Sequence, residues 1–174
     1  AVAAGWTEGA EDAPAPRVID GTGANYALCA AVSSYGNYWR TGAKAFRLAF
    51  PQFVNPPAED WFELDRVLVT GPAATLNLHY RRGYSGGSKL VIETSVDDGL
   101  SWQAAGAPVM GRSDGYPDGG FTSLSVPLPA NRAAVRVRFR HCWTGGPFYA
   151  VQAYPTQPVG IFLDDLSVTG ASEL

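Results

Sequence analysis

The sequence predicts an all-β fold, a two-sheet antiparallel β-sandwich of the jelly-roll type with eight to nine strands. Short runs in which apolar and polar side chains alternate recur along the 174 residues, for example over residues 76–80 and 90–96. The chain also contains 20 glycines and 13 prolines, and the turns that they predict recur too often for βαβ units. No run shows a convincing period of an amphipathic helix.

The composition indicates one globular domain over residues 1–174, because 46% of the residues are hydrophobic and 17% are charged. A formal net charge of −3 argues against a nucleic-acid partner and against binding to an anionic membrane. No apolar run approaches the about 20 residues that a membrane-spanning helix needs. Residues 1–5 lack the basic start of an intact signal peptide, so we expect a domain excised from a larger secreted protein.

The strands are predicted in order along the chain. Residues 1–24 have no sustained period and predict an irregular N-terminal segment, with a first edge strand around residues 17–19. Alternating runs predict the other strands, at residues 25–33, 43–50, 61–70, 74–80, 89–96, 121–126, 133–140 and 160–169. Clusters of turn residues predict the main loops, at residues 34–42, 52–59, 81–88, 106–120 and 142–158.

The strand predicted at residues 61–70 changes phase along its length. Phe62 and Leu64 fall on one face, whereas Val67 and Val69 fall on the other. A β-bulge near Asp65 and Arg66 would bring these apolar side chains to one buried face, and we expect one there.

The run from Ser95 to Trp102 predicts a tight hairpin turn, because Asp side chains accept hydrogen bonds from amides two residues on and Gly99 tolerates positive φ. The pattern Ser-x-Asp-x-Gly-x-Ser-Trp resembles the Asp-box, a β-hairpin of sialidase propellers and of several secreted β-domains. We expect a structural role, in which Asp97 braces the turn and Trp102 packs beneath it. A single Asp-box in 174 residues falls short of a six-bladed propeller with roughly 40 residues in each blade.

A longer resemblance runs from Trp61 to Gly170. Its motifs are Glu-Asp-Trp-Phe at residues 59–62, Leu-Asn-Leu-His-Tyr at 76–80, Val-Arg-Val-Arg-Phe-Arg-His at 135–141 and Gly-Ile-Phe-Leu-Asp-Asp-Leu-Ser-Val at 160–168. Together with the hairpin, this order resembles the jelly-roll superfamily of MAM domains, cleaved-adhesin domains and accessory modules of bacterial secreted enzymes. The resemblance implies an extracellular, mostly non-catalytic domain that often binds calcium.

Asp164 is the sharpest polar feature of the last strand. Alternation places it on one face with Phe162 and Leu166, toward the sandwich interior, where a carboxylate needs a cation, an arginine or several amides. In the resembling domains, acidic residues of this strand ligate calcium together with an earlier strand and the N-terminal segment. The implied ligands include one of Glu8, Glu11 or Asp12, and the candidate set is Asp164, Asp165, Asp60, Glu11 and Asp12. The alternative is a carboxylate paired with an arginine such as Arg138, or bound to turn amides.

Two sets of side chains predict a glycan surface. Arg136, Arg138 and Arg140 share one strand face, where planar guanidiniums suit the carboxylates or sulfates of an acidic polysaccharide. The alternative for this face is a solvated surface with ordinary cross-strand pairs. Aromatic residues concentrate in loops, where sugar rings stack on exposed rings and where buried rings cover the ends of a sandwich. The stacking candidates are Trp143 with Tyr149, and then Tyr154 and Tyr84; the other loop aromatics include Tyr35, Tyr38, Trp39, Tyr116 and Phe148.

Cys29 and Cys142 are too few and too far apart for a metal cluster, and they form either one disulfide or two buried thiols. Catalysis finds little support, because His79 and His141 lack the HExxH spacing and no Gly-x-Ser-x-Gly elbow occurs. We therefore expect a non-catalytic carbohydrate-binding module of a secreted bacterial polysaccharide-active protein, next to an attached catalytic domain. The alternatives are an adhesion or structural accessory domain of a secreted peptidase or surface protein, and a small lyase or hydrolase.

Overall fold

The computed structural model describes residues 5–8, 18–20, 25, 26, 29, 30, 38–42, 44–49, 57–64, 66–114, 116–145 and 159–174. These residues form thirteen β-strands and no helix, so none of them offers a helical membrane span. The strands in chain order are β1 (Gly5–Glu8), β2 (Val18–Asp20), β3 (Asn25–Tyr26), β4 (Cys29–Ala30), β5 (Lys44–Leu48), β6 (Ala58–Glu63), β7 (Leu68–Arg82), β8 (Ser88–Ser95), β9 (Gln103–Ala104), β10 (Val109–Met110), β11 (Thr122–Pro127), β12 (Arg136–Trp143) and β13 (Ile161–Glu173).

The strands form two antiparallel sheets packed as a sandwich, which confirms the predicted fold class. The first sheet has the order β11-β7-β13-β5-β4, with β1 also paired to β13. The second has the order β10-β8-β12-β6-β2-β3, with β9 also paired to β8. From β5 to β8, and again from β11 to β13, successive strands alternate between the sheets, as in a jelly roll. Eight strands have four residues or more, which agrees with the predicted eight to nine.

The core lies between the two sheets and is centred on three phenylalanine rings. The rings of Phe46 and Phe62 stack with centroids 5.1 Å apart, and those of Phe62 and Phe139 stack at 4.6 Å. Phe46 comes from the first sheet and the other two from the second, so the stack joins the two layers. Aliphatic side chains such as Leu76 and Val137 are fully buried around it.

The prediction of one bulged strand at residues 61–70 is wrong. The chain leaves the second sheet at the end of β6 and enters the first at Leu68. Leu64 still donates its N–H to the carbonyl of Val137 at 3.0 Å, and Leu68 donates to Val135 at 2.9 Å. The change of phase therefore records a crossing between sheets rather than an extra residue within one strand.

The turn from Ser95 to Trp102 is held by the side chain of Asp97, which accepts a hydrogen bond from the amide four residues on rather than the predicted two. Oδ1 of Asp97 accepts the Ser95 hydroxyl at 2.7 Å and the N–H of Ser101 at 2.9 Å, and Oδ2 accepts the Ser101 hydroxyl. The indole N–H of Trp102 donates to the carbonyl of Gly99 at 3.1 Å. Gly99 has φ of 85°, which a side chain would strain. Asp97 therefore braces the turn from both sides.

Asp97 makes stability sensitive to acid. Hydrogen bonds from the side chain of Ser101, and then of Ser95, lower the pKa of Asp97 from 3.8 to about 2. Because the folded pKa is depressed, this stabilisation is present above about pH 4 and is lost as the pH falls toward about 2. We expect Asp97→Asn to melt at a lower temperature than the native chain at neutral pH, and the difference to shrink in acid. Melting curves followed by circular dichroism over this pH range measure the effect.

The neighbouring Asp98→Asn is the matched control, because Asp98 is exposed and asparagine also tolerates its φ of 58°. We expect this control to melt close to the native temperature at neutral pH. A constant difference between Asp97→Asn and the native chain at every pH would contradict the role given to the ionised carboxylate.

Cys142 is a free, buried thiol, and burial raises its pKa. Of Cys29 the structure describes only the backbone, in β4. Of the two predicted alternatives, the structure supports the buried thiol for Cys142.

Candidate functional site

Two adjoining clefts form one groove at the side of the sandwich, and we call it the edge groove. The chain leaves the second sheet after β10 and joins the first sheet at its edge strand β11, so the segment between them crosses this side. The first cleft has a volume of about 360 Å³ and is lined by Arg82, Gly111, Arg112, Ser113 and Asp114. The second, of about 290 Å³, is lined by Gly87, Ser88, Lys89, Met110, Gly111, Ser113 and Thr144.

Asp118 fixes the wall of the first cleft. Its Oδ2 accepts hydrogen bonds from the Nε–H and the backbone N–H of Arg82, both at 2.9 Å. Its Oδ1 accepts a hydrogen bond from Nη2 of the same residue at 3.0 Å. The remaining nitrogen of that guanidinium, Nη1, donates to the carbonyl of Met110 at 3.1 Å. One buried carboxylate therefore joins the end of β7 to the segment after β10.

Arg112 and Asp114 form a second ion pair at the mouth of the cleft. Nε of Arg112 donates to Oδ1 of Asp114 at 2.8 Å, and Nη2 donates to Oδ2. Asp114 also accepts the N–H of Tyr116 at 3.2 Å, and Arg112 reaches Oδ1 of Asp118 at 3.3 Å. Tyr116 is 70% exposed. The pair therefore holds the backbone of an exposed aromatic residue next to a residue that lines the cleft.

The charges of these side chains are fixed over a wide pH range. Burial by itself would raise the pKa of Asp118, but hydrogen bonds from the side chain and backbone of Arg82 outweigh it and lower the pKa. The side-chain hydrogen bond from Arg112 is the main reason that the pKa of Asp114 falls from 3.8 to about 2. The same partners raise the pKa of both arginines. Neither carboxyl group is protonated near neutral pH.

Gly111 forms the floor that the two clefts share. Its N–H donates to the carbonyl of Ser88 at 2.8 Å, which continues the pairing of β10 with β8. A Cβ atom at this position would lie 1.9 Å from the carbonyl oxygen of Ser85. The hydroxyl of Ser88 also donates to that oxygen at 2.7 Å. The close backbone approach thus requires a residue without a side chain.

The predicted arginine face exists, and its charges are paired within the chain. Arg136 contacts Glu63 and Asp98, and Arg138 donates to Glu93 at 2.6 Å. Arg140 donates to Glu93 and to Glu59 at 2.7 Å. Glu93 is 5% exposed and lies between two guanidiniums. This face matches the alternative of cross-strand pairs rather than a surface of free arginines.

Two tryptophan rings lie against Arg138 on the same face. Its guanidinium carbon lies 4.3 Å from the ring centroid of Trp102 and 5.5 Å from that of Trp61. Cation–π attraction and the ion pair with Glu93 hold the guanidinium in place. The hairpin turn that presents Trp102 therefore also helps to order the outer face of the second sheet.

The stacking role predicted for Trp143 is corrected by its burial. The residue is 6% exposed, and its indole nitrogen lies 3.5 Å from the position that a Cβ on Gly87 would take. A ring buried in this way has no free face for a sugar. Tyr84 is half-buried and pairs in an isolated bridge with Val159. Tyr149 and Tyr154 lie outside the described residues.

Asp164 is fully buried, as predicted, but on the other face of its sheet. Asp165 has φ of 50°, and the register between β13 and β7 shifts between Asp164 and Ser167. This β-bulge reverses the alternation, so Leu163 and Leu166 face the core while Asp164 lies under residues 38–42. The ring of Phe162 likewise packs against Tyr38, with centroids 4.7 Å apart.

The described groups around Asp164 and Asp165 are mostly N–H donors. Asp164 accepts backbone N–H groups from Arg40 at 2.6 Å, Thr41 at 3.2 Å and Asp165 at 2.8 Å. Asp165 contacts the guanidinium of Arg40 and the hydroxyl of Thr41, and Nδ1 of His79 lies 3.8 Å from its Oδ2. Calcium requires six to eight oxygen ligands, whereas these carboxylates face mostly N–H donors. Burial raises the pKa of Asp164, and the three amides partly oppose that rise.

The calcium site stays a prediction for the whole set, because the structure does not describe the side chains of the other predicted ligands. Glu11 and Asp12 lie outside the described residues, and of Asp60 the structure describes only the backbone, paired with His141 and Asp20. Within the described part of the chain, no group of three or more His, Cys, Asp or Glu side chains is placed to hold a metal. Melting curves with and without EDTA measure whether the set binds calcium.

Sequence reasoning placed Arg112, Asp114, Tyr116 and Asp118 in one loop but did not assign them a site. Their contacts with Arg82 and Ser85 join segments about 30 residues apart in the chain, which no local period reveals. The available signal was the run Gly-Arg-Ser-Asp-Gly-Tyr-Pro-Asp, where charged and aromatic residues interrupt an otherwise ordinary turn composition.

No protein-family model matches the chain, and no curated protein sequence matches it. Solved structures share its fold. The K1 cleaved adhesin domain of Lys-gingipain from Porphyromonas gingivalis W83 is similar with a TM-score of 0.57 at 15% identity, over 97% of this chain and 99% of that one. The K2 cleaved adhesin domain of Lys-gingipain gives 0.55 at 16% identity, over 95% and 99%. A xylan-binding domain from CBM 22 gives 0.50 at 10% identity, over 96% of each chain.

Proposed function

We propose that this domain is a non-catalytic carbohydrate-binding module that holds a glycan in the edge groove. The observation that carries the proposal is a polar cleft whose arginines are fixed by Asp118, next to an exposed Tyr116 whose backbone N–H donates to the cleft residue Asp114. Sugars bind through C–H faces that stack on aromatic rings and through hydroxyl groups that need ordered donors and acceptors. Fixed partners reduce the entropy lost on binding.

The charge state of the groove argues against glycoside hydrolysis there. Such chemistry requires one carboxylic acid that stays protonated near neutral pH, which means a raised pKa. The pKa values of Asp114 and Asp118 are both lowered, the first mainly by Arg112 and the second by Arg82 against the effect of burial. His141 is fully buried, and desolvation lowers its pKa to about 4. The groove is therefore suited to binding rather than to proton transfer.

The wider setting belongs to the same proposal. Solved structures with this fold include a xylan-binding domain and two adhesin domains, at identities that support the fold alone. We place the module in a secreted bacterial protein that acts on polysaccharide, beside an attached catalytic domain. An adhesion or accessory domain of a secreted peptidase is the other candidate, and it predicts no glycan affinity in the groove.

Replacing Tyr116 by alanine should weaken glycan binding about tenfold, because the loss of a stacked ring corresponds to about 1.4 kcal/mol. Affinity electrophoresis in gels containing xylan, β-glucan, pectin, alginate or agar identifies the polymer, and calorimetry then gives the Kd. Tyr116→Phe should retain the affinity, since it keeps the ring.

Leu100→Ala is the control for loss of an exposed apolar side chain, because Leu100 is 89% exposed at the tip of another turn. We expect it to bind normally. If Tyr116→Ala is retained as strongly as the native chain, the glycan does not bind at the edge groove. The absence of retention on every polymer would favour the accessory-domain candidate.

Glycan affinity should be nearly constant between about pH 4 and pH 8, because no carboxylate of the groove titrates in this range. The pKa of Asp114 is held at about 2 by Arg112 and the Tyr116 amide, and that of Asp118 is also lowered, since the bonds from Arg82 outweigh burial. Calorimetry at several pH values on the retained polymer measures this. A bell-shaped profile centred near neutrality would contradict it.

A further inference from the structure

We propose that the edge groove selects an uncharged polysaccharide. The inference rests on the proposed function and names the class of glycan for the same site. It departs from the acidic polysaccharide that the three arginines of β12 predict from sequence. The proposed selection rests on the ion pairs that Arg82 and Arg112 already make within the groove.

Both arginines of the groove are already paired with carboxylates of the chain. Each guanidinium nitrogen of Arg82 donates once, two of them to Asp118 and one to the carbonyl of Met110, which uses three of its five N–H groups. Arg112 uses two nitrogens on Asp114 and the third on Asp118 and the carbonyl of Pro117. The remaining N–H groups belong to guanidiniums whose charge is already balanced by Asp114 and Asp118, so a carboxylate or sulfate of the ligand would have to compete with these carboxylates for the positive charge.

That competition is unfavourable on both pairs. Asp118 is 9% exposed, so removing Arg82 from it would leave a buried charge with only the more distant Arg112 as an ionic partner, at 3.3 Å. The side chain of Asp114 is 49% exposed at the mouth of the groove and would repel an approaching anion. Two cations and two anions face the first cleft and its wall, and they cancel.

A neutral sugar meets none of these obstacles. Hydroxyl groups donate as well as accept, so they can use the remaining lone pairs of Asp114 without displacing Arg112. Ser113 is exposed in both clefts, and the Thr144 hydroxyl, which donates to Gly87 at 3.1 Å, keeps lone pairs for a ligand donor. The groove thus offers mixed donors and acceptors with no net charge in its first cleft.

Lys89 provides the discriminating variant, since it lines only the second cleft. Its ammonium would matter for an acidic ligand and little for a neutral one. Lys89→Gln keeps a long polar side chain and removes the charge. For an uncharged polysaccharide we expect this variant to change the affinity by the same factor at about 20 and 500 mM NaCl, because the lost ammonium makes no ion pair with a neutral ligand.

The test uses polymers that share a backbone and differ in charge: glucuronoxylan and its carboxyl-reduced form, polygalacturonate and its carboxyl-reduced form, and dextran sulfate and dextran. In any pair that binds, retention on the neutral member should equal or exceed retention on the charged member. Where every sugar residue carries a charge, retention on the charged member should be at least about tenfold weaker than on the neutral member. Affinity for the neutral member should not change between about 20 and 500 mM NaCl, because no ion pair forms on binding.

The outcomes separate the two proposals. Binding confined to charged members, weakened by salt and by Lys89→Gln but still dependent on Tyr116, overturns the neutral ligand and leaves the glycan-binding function standing. Equal retention on fully charged and neutral members also overturns the selection. Failure to bind any of the six polymers and any gel of the first panel overturns the proposed function itself.

Discussion

Replacing Asp164 by alanine is expected to lower the free energy of unfolding by about 3 kcal/mol. Its carboxylate is fully buried and accepts the backbone N–H groups of Arg40, Thr41 and Asp165. The substitution leaves these donors without an acceptor, at about 1–3 kcal/mol each when they stay buried. The total is less than the sum, because Arg40 and Thr41 lie in an exposed segment and water can reach part of the gap.

Denaturant unfolding of the variant and the native chain measures this difference. The matched control is Asp165→Asn, which removes the neighbouring charge and keeps a residue that tolerates φ of 50°. We expect the control to lose less than about 1 kcal/mol, because the ion pair with Arg40 is partly exposed.

The same pair of variants distinguishes amide bonds from metal binding at Asp164. If amides hold the carboxylate, Asp164→Ala destabilises the domain equally with and without EDTA. A loss that appears only in added calcium and disappears on chelation would mean that Asp164 binds a metal through ligands outside the described residues. Equal stability of Asp164→Ala and the native chain would contradict the amide account directly.

The strands of the sandwich were predictable because their periodicity is local. Alternation placed Val137 and Phe139 on the core face of β12 and its arginines on the outer face, and the structure confirms both. The turn at Asp97 was predictable for the same reason, since the hydrogen bonds of the Asp97 side chain join it to residues at most four positions away.

Long-range geometry explains what the sequence did not show. Alternation gave the burial of Asp164 but the wrong face, because a β-bulge adds one residue and an aspartate at positive φ carries no distinct sequence signal. The crossing between sheets at residues 64–67 produces the same phase change as a bulge would. The arginines of β12 showed their charge in the sequence, while their carboxylate partners on β6 and β8 became neighbours only through strand pairing.

Replacing Gly111 by alanine is expected to lower the free energy of unfolding by about 3 kcal/mol and to abolish glycan retention. The new Cβ would lie 1.9 Å from the carbonyl oxygen of Ser85 and 2.8 Å from that of Ser88. Both are backbone atoms, so no change of rotamer relieves the contact, and either β10 or the turn before β8 must move. That movement separates Arg112 from the Ser85 hydroxyl, to which its N–H donates at 3.3 Å, and opens the floor shared by the two clefts.

Gly119→Ala is the matched control, because it lies in the same connection between β10 and β11 and a Cβ there meets no atom within 4 Å. The control should match the native chain in both denaturant unfolding and affinity electrophoresis. A stable Gly111→Ala variant would show that the edge can shift at little cost. A displaced Gly111 must change the positions of Arg112 and Asp114. A destabilised variant that still folds and binds the glycan with native affinity would therefore contradict a glycan site at the edge groove.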